Sequence, residues 1–171
     1  MIEIRAEARE HVLAVRHLHE QAFGGRPNEA RLVELLRAAG KAVASLVAVE
    51  AMQVVGHVLF SPVTLDPLQA GFNGVGLAPV AVSPAHQRRG LGSRLIRAGL
   101  AQCRQVGYGV VVVLGDPRYY ARFGFTRASD FGLGNEYHAD EHFMALELKE
   151  GALRSLRGMV KYAPEFKEAD C

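Results

Sequence analysis

At 171 residues, 49% of them hydrophobic and 22% charged, the chain is long enough for one well-buried core and too short to expect two. A formal net charge of +2 is too small to argue for nucleic acid, and no apolar run approaches the ~20 residues of a membrane span. Two cysteines, one inside a helical pattern and one at the last position, fit a reduced cytoplasmic protein without a disulfide. The N-terminus, charged from its third residue, lacks the apolar core of a signal peptide.

Met1 to Arg5 alternates as a short first strand. From Arg9 the positions Val12, Leu13, Val15, Leu18 and Phe23 predict a helix that stops at Gly24-Gly25. Pro27 opens a second helix carrying Leu32, Val33, Leu35 and Leu36 and ending before Gly40. Residues 43 to 50 and 54 to 63 are strands, and the short Ala51-Met52-Gln53 junction suits an antiparallel hairpin. Asp66 to Gly74 is a Pro/Gly/Asn-rich loop, followed by a strand through Val82 and a helix from about Gly90 to Val106 that Gly107 ends. Gly109 to Leu114, GVVVVL, is strongly β-branched and reads as a buried strand parallel to the one before the helix. Pro117 opens a short helix, Arg118 to Phe123, closed by Gly124, and Phe125 to Arg127 begins an antiparallel return. Asp130 to His142 reads as a polar loop and Phe143 to Leu148 as the last clear strand. Residues 150 to 171 form a C-terminal extension of one domain, 1 to 171, with room for a turn and a short strand around Met159 to Tyr162.

The chain is organised around Pro79 to Leu100, PVAVSPAHQRRGLGSRLIRAGL. An apolar strand is broken at Ser83-Pro84 and crosses a basic turn, Gln87-Arg88-Arg89-Gly90-Leu91-Gly92. Leu91, Leu95, Ile96 and Leu100 then recur at helical spacing, so the turn sits on a helix N-terminus. The first N–H groups of a helix have no intrahelical partner, and the peptide dipoles add partial positive charge there. Glycines remove the Cβ atoms that would hold an anion away, and arginines add charge at the rim. Such a turn is a seat for a phosphate-bearing ligand.

Gln87-x-x-Gly90-x-Gly92, after a strand and before a helix, resembles the acyl-CoA signature of the GCN5-related N-acetyltransferases, the GNAT superfamily. A second block, Tyr119-Tyr120-Ala121-Arg122-Phe123-Gly124-Phe125, resembles that family's Tyr-x-x-x-Gly-Phe element, and its LGDPRYYARFGF form is similar to one bacterial branch. The resemblance implies an α/β (α+β) fold with a mixed, mostly antiparallel central sheet, a splayed parallel pair and helices on both faces. It implies acetyl-CoA as co-substrate and an acetyl group moved directly to a primary amine of a small molecule or peptide. No metal, nucleic acid or membrane is expected, and a homodimer is compatible with the family. The implied cofactor-binding residues are Val80, Ala81 and Val82 for the pantetheine arm, and Gln87, Arg88, Arg89, Gly90, Leu91, Gly92 and Ser93 for the pyrophosphate, with Phe123 of the second block. Tyr120, four residues before Gly124, matches the family's general-acid tyrosine. A phenol with an ordinary pKa of ~10 stays protonated at neutral pH and can donate to a thiolate. Tyr119 is the weaker candidate, and either ring has a purely structural reading as packing for a short helix.

Two departures from the family pattern stand out. The strand before the turn carries no carboxylate to act as base between Asn73 and Pro79, which leaves Glu20, Glu29, Glu136 and His138 as candidates from elsewhere, each of a type that is more often solvated. His57, among apolar neighbours, reads as a satisfied core or interface histidine. Gly115-Asp116-Pro117 stands where relatives often carry an asparagine, and Asp116 reads as the N-cap of the Pro117 helix. Among other classes, a dinucleotide-binding dehydrogenase lacks its third glycine, Leu95 standing there, and further βαβ units. No GxxxxGK[ST] occurs, which excludes a phosphate-binding loop of the ATPase kind. The remaining alternative is a GNAT-like sensor or assembly module that binds CoA without transferring from it.

Overall fold

The computed structural model describes all 171 residues. Strands β1 (Glu3–Ala6), β2 (Ala44–Glu50), β3 (Gln53–Asp66), β4 (Gly74–Val82), β5 (Val110–Leu114), β8 (Phe143–Glu147) and β6 (Thr126–Arg127) follow one another, with β8 lying between β5 and β6 in space. Neighbours are antiparallel except β4 and β5. Helices α1 (Val12–Ala22) and α2 (Asn28–Ala38) follow β1, α3 (Leu91–Val106) links β4 to β5, and α4 (Pro117–Tyr120) follows β5.

The Gly109 to Leu114 run is apolar throughout because both faces of the sheet are covered. Val110 and Val112 join the cluster under α1 and α2, whereas Val111 and Val113 join the cluster under α3. Helix α3 buries one stripe, Leu91, Leu95, Ile96, Leu100 and Cys103, against that second face. The β2–β3 hairpin turns at Ala51 and Met52, whose φ values of 48° and 63° give the left-handed backbone conformation a two-residue loop needs, without any glycine.

Two segments differ from the sequence-based expectation. Within the predicted Asp130 to His142 loop lies a short strand, β7 (Leu133–Asn135). It pairs parallel with β9 (Gly158–Lys161), which in turn pairs with Thr64 to Asp66 at the far end of β3. The tail then forms α5 (Glu165–Glu168), and Val160, Tyr162 and Phe166 enter the core beneath α1 and α2. A three-residue strand has too little periodicity to announce itself, and its partner lies more than twenty residues downstream.

The pairing of β4 with β5 sets the site. It holds only for Gly74, Val75 and Gly76 against Val110, Val111 and Val112, and then the two strands part. Beyond that point β4 bulges, with Ala78 and Pro79 opposite Leu59 alone. Proline has no N–H for a ladder and is tolerated at such a bulge. The gap that opens between β4 and β5 is bounded by the start of α3 and by α4.

Candidate active site

From Gln87 to Ser93 no backbone N–H donates to a protein acceptor; the first such bond inside α3 runs from Arg94 N–H to the Gly90 carbonyl at 3.1 Å. Arg88 (φ 63°) and Gly90 (φ 77°) both take the left-handed conformation. That geometry gathers successive N–H groups into a concavity suited to anions, and for Arg88 it is a conformation non-glycine residues seldom adopt. The concavity opens into a cleft of about 340 Å³ lined by Val82, Gln87, Arg88, Gly90, Gly92 and Ser93, together with His86, Leu91, Tyr119 and Arg122. Arg89 and Phe123 line neither this cleft nor the larger cavity described below. Phe123 lies buried under α3 with the Arg97 guanidinium 4.9 Å from its ring centre, so the structure does not bring it to the expected ligand site.

The edge of β4 facing the gap is only partly free. Ser83 N–H donates to Val55 carbonyl at 2.8 Å, and Ala81 stands two residues along, opposite His57. Antiparallel alternation therefore turns the polar groups of Ala81 towards β3 and those of Val80 and Val82 towards the gap. Consistently, Gln87 Nε2 donates to the Val82 carbonyl at 3.0 Å. Of the three strand residues singled out in the sequence, Val80 and Val82 turn their backbone groups to the gap and Ala81 does not.

The two adjacent tyrosines serve different spaces. Tyr119 faces the turn, its Oη 3.3 Å from Ser93 Oγ, with the Arg122 guanidinium 4.2 Å above its ring. Tyr120 is 8% exposed, packs edge-on to Phe125, and lines a second cavity of about 520 Å³. Its hydroxyl makes no protein hydrogen bond, yet is not among the sealed polar atoms of the molecule, so it reaches that cavity. Burial, reinforced by neighbouring Tyr119, pushes the Tyr120 phenol up to about 12. The phenol is therefore protonated at every physiological pH.

This cavity occupies the gap itself. Leu77 to Val80 of β4, Leu114 of β5 and Tyr120 form one side, and Phe23, Glu29, Leu32, Tyr137, Tyr162 and Phe166 are among those forming the other. Of the four candidate bases only Glu29 lines it. Glu20 pairs with Arg16 at 3.2 Å, Glu136 accepts the Tyr162 N–H at 3.1 Å, and His138 is exposed. Asp116 caps α4, accepting the Arg118 N–H at 2.9 Å, and the Arg118 side chain and N–H hold its carboxyl below the usual range. His57 is fully buried between His19 and Ser45. Arg122 and His86, both beside the turn, were not distinguishable in the sequence from ordinary surface cations; only their place on elements flanking α3 brings them there.

A βαβ unit with a free helix N-terminus, a parted parallel pair and a phenol at the gap defines an acyltransferase-like architecture. Residues 3–128 match the family model of the acetyltransferase (GNAT) domain, and the chain belongs to this family. It is 39% identical over 140 residues to the uncharacterized N-acetyltransferase YhbS of Escherichia coli (strain K12), covering 81% of this chain and 83% of that protein. Its fold is similar to the crystal structure of YhbS in complex with CoA, with TM-score 0.90, 34% identity, and coverage of 97% of this chain and 92% of that one. It is also similar to a GNAT family acetyltransferase from Brucella melitensis in complex with acetyl-CoA, with TM-score 0.81, 37% identity, and coverage of 97% and 98%.

Proposed function

We propose that this protein is an acetyl-CoA-dependent N-acetyltransferase that moves the acetyl group directly to a primary amine while both substrates are bound. The observation that carries this reading is the run of free N–H groups from Gln87 to Ser93, set beside a gap reached by the Tyr120 phenol. The residues present suit acetyl-CoA. A diphosphate fits the N–H concavity and the charge of Arg88 and Arg122 at the turn. An amide-bearing pantetheine arm fits the gap-facing polar groups of Val80 and Val82, as an added strand fits a sheet edge. When bound, acetyl-CoA supplies an activated thioester carbonyl.

The amine nitrogen forms a bond to the carbonyl carbon as the carbon–sulfur bond breaks, and one proton leaves nitrogen while one reaches sulfur. Tyr120, held near 12, is too weak an acid to hand its proton outright to a thiolate of ordinary thiol pKa, ~8.5. It therefore acts by hydrogen-bonding the departing sulfur and passing on a proton as it takes the one the amine gives up, never itself becoming charged. The free N–H groups along β4 are donors on the gap side for charge developing on the carbonyl oxygen. Residues beyond the family match contribute Tyr137, Tyr162 and Phe166 to the cavity, so the whole chain works as one unit.

Tyr120→Phe should lower kcat by about 100-fold while leaving the KM for acetyl-CoA within about twofold, as read by thiol release with an amine panel. Tyr119→Phe, altering the turn, should change acetyl-CoA affinity more than turnover. Unaltered turnover in Tyr120→Phe would remove the phenol from the mechanism.

A further inference from the structure

The main path of the sheet ends at β6 and at β1, and the two edges are not alike. β6 is only two residues long, whereas β1 pairs with β2 in a regular register, and residues 1 to 6 hold no proline or glycine. An unpaired edge is a template for another strand unless something blunts it. Glu7 N–H donates to the Ser45 carbonyl at 2.9 Å, in step with Arg5 opposite Val47 and Glu3 opposite Val49. Antiparallel alternation then turns the polar groups of residues 3, 5 and 7 towards β2 and those of Ile2, Ile4 and Ala6 away from the sheet. Consistently, the Ile2 carbonyl accepts from the Arg94 side chain at 3.2 Å, and it keeps a second lone pair.

This edge is complementary to itself. In an antiparallel pairing centred on Ile4, Ile4 exchanges both hydrogen bonds with Ile4 of a second copy, and Ile2 does so with Ala6. The same two-fold axis sets Glu3 opposite Arg5 twice, in pairs whose Cα atoms stand ~4.5 Å apart. Within one chain these two side chains meet at 2.9 Å, but across the ~6.6 Å between alternate residues of a strand, and they stay 63% and 47% exposed. Moving the centre by one residue puts Glu3 opposite Glu3 or Arg5 opposite Arg5, which is unfavourable, so charge selects the register. On the other face Ile2 and Ile4, half-buried against the cluster under α3, extend that apolar surface to their counterparts. The register also joins the two ends of β1. Met1 is fully exposed, and beside Glu7 lies a cleft of about 490 Å³, lined also by Ala8, Val12, Arg37 and Ser45. Residue 1 of one copy stands opposite residue 7 of the other, so each Met1 comes to the mouth of the other copy's cleft, where Ala8 and Val12 offer apolar surface.

We propose that β1 is a self-association edge, through which two copies pair antiparallel about Ile4 and make one sheet continuous across a dimer. The inference is independent of the transfer reaction. Sedimentation of the full chain over a micromolar concentration series tests it, and a reversible dimer is expected. Glu3→Arg turns two opposite-charge pairs into like-charge pairs and should raise the dimer Kd by at least about tenfold. Combining it with Arg5→Glu restores opposite charges in the same register and should bring the Kd back to within about threefold. Ile4→Pro removes an N–H that β2 does not use, so it should abolish the dimer while leaving the circular dichroism spectrum unchanged. The charge variants, made on exposed side chains, decide the matter even if Ile4→Pro unfolds. A chain that stays monomeric throughout, a dimer indifferent to Glu3→Arg, or a double exchange no more dimeric than the single one overturns the proposal.

Discussion

Tyr162 shows how much a single residue depends on its opposite number. A Cβ on Gly76 would stand 2.5 Å from Tyr162 Cε1, so only glycine at the point where β4 and β5 part lets this ring lie against the strand. Its hydroxyl is sealed and unpartnered, and burial pushes its pKa strongly upward, so it stays a neutral donor or acceptor. Removing an orphaned buried hydroxyl should help the fold. Tyr162→Phe is therefore expected to raise the unfolding free energy by about 1 kcal/mol, measured as a higher urea midpoint at unchanged slope. A lower midpoint would mean that the hydroxyl has a partner in the resting protein. The tyrosine pair before Gly124 gives the complementary lesson. Neighbouring residues on a helix point about 100° apart, so one ring faces the turn and the next faces the gap, and the motif alone does not say which. The family resemblance singled out residue 120; the separate lining of the two spaces came from the fold.

At the scale of elements, α3 was the most legible part of the chain. Its apolar stripe, its glycine start and its glycine end bound it to within a residue of the observed Leu91–Val106. Its N-terminus also carries a prediction. Arg88→Glu with Gly90→Asp places negative charge and bulk against the free N–H groups, and both residues tolerate the left-handed backbone better than a β-branched one would. CoA affinity should fall by at least about tenfold in calorimetry, with the melting temperature lowered modestly by the strained backbone at residue 90. Unchanged affinity would move the diphosphate elsewhere. By contrast the β7–β9 pairing and α5 were illegible or faint, because each is only three or four residues long and takes its order from the core it covers.

Across the whole molecule, a polar chain crosses the interior and links Glu7, just after β1, to β2, β3, α1 and α2. Ser45 donates to Glu7 Oε2 at 2.5 Å, so His57 Nε2–H donates to Ser45 at 2.8 Å, and His57 Nδ1 must then accept from His19 Nε2–H at 2.8 Å. Arg37 closes the chain on the other oxygen of Glu7. Burial, with a smaller contribution from His57, drives His19 down to about 3 from 6.5, and burial also lowers His57, so both rings are neutral in the fold. Burial alone would raise Glu7, but the His57 ring, the Ser45 hydroxyl and Arg37 outweigh it and hold the carboxyl at about 2. The sign is the same for all three groups: over these windows the unfolded chain binds a proton that the folded chain refuses. Stability should therefore decline as pH falls below about 6.5, first through His19 and His57, and below about 4.5 through Glu7 as well. Between pH 7 and 5, His19 alone accounts for a loss of about 1–2 kcal/mol, which urea unfolding at the two values would detect. A flat profile would mean that the rings take up protons in the folded protein over the same pH range as in the unfolded chain.

What the amino-acid order determined by itself was local. Periodicity, proline and glycine specified most helices and strands, and the β4–α3 stretch specified a glycine-bearing helix start with free N–H groups, because those signals act between residues a few positions apart. His57 could be read as a core residue, but not its partners, since Glu7, His19 and Ser45 come from three distant parts of the chain. Only tertiary structure decided that β4 and β5 part after three residue pairs, that Ala81 turns inward while Val80 and Val82 do not, and that the C-terminal segment lines the cavity. It alone singled out Glu29 from Glu20, Glu29, Glu136 and His138, because which of them lines the cavity depends on what the distant chain brings alongside.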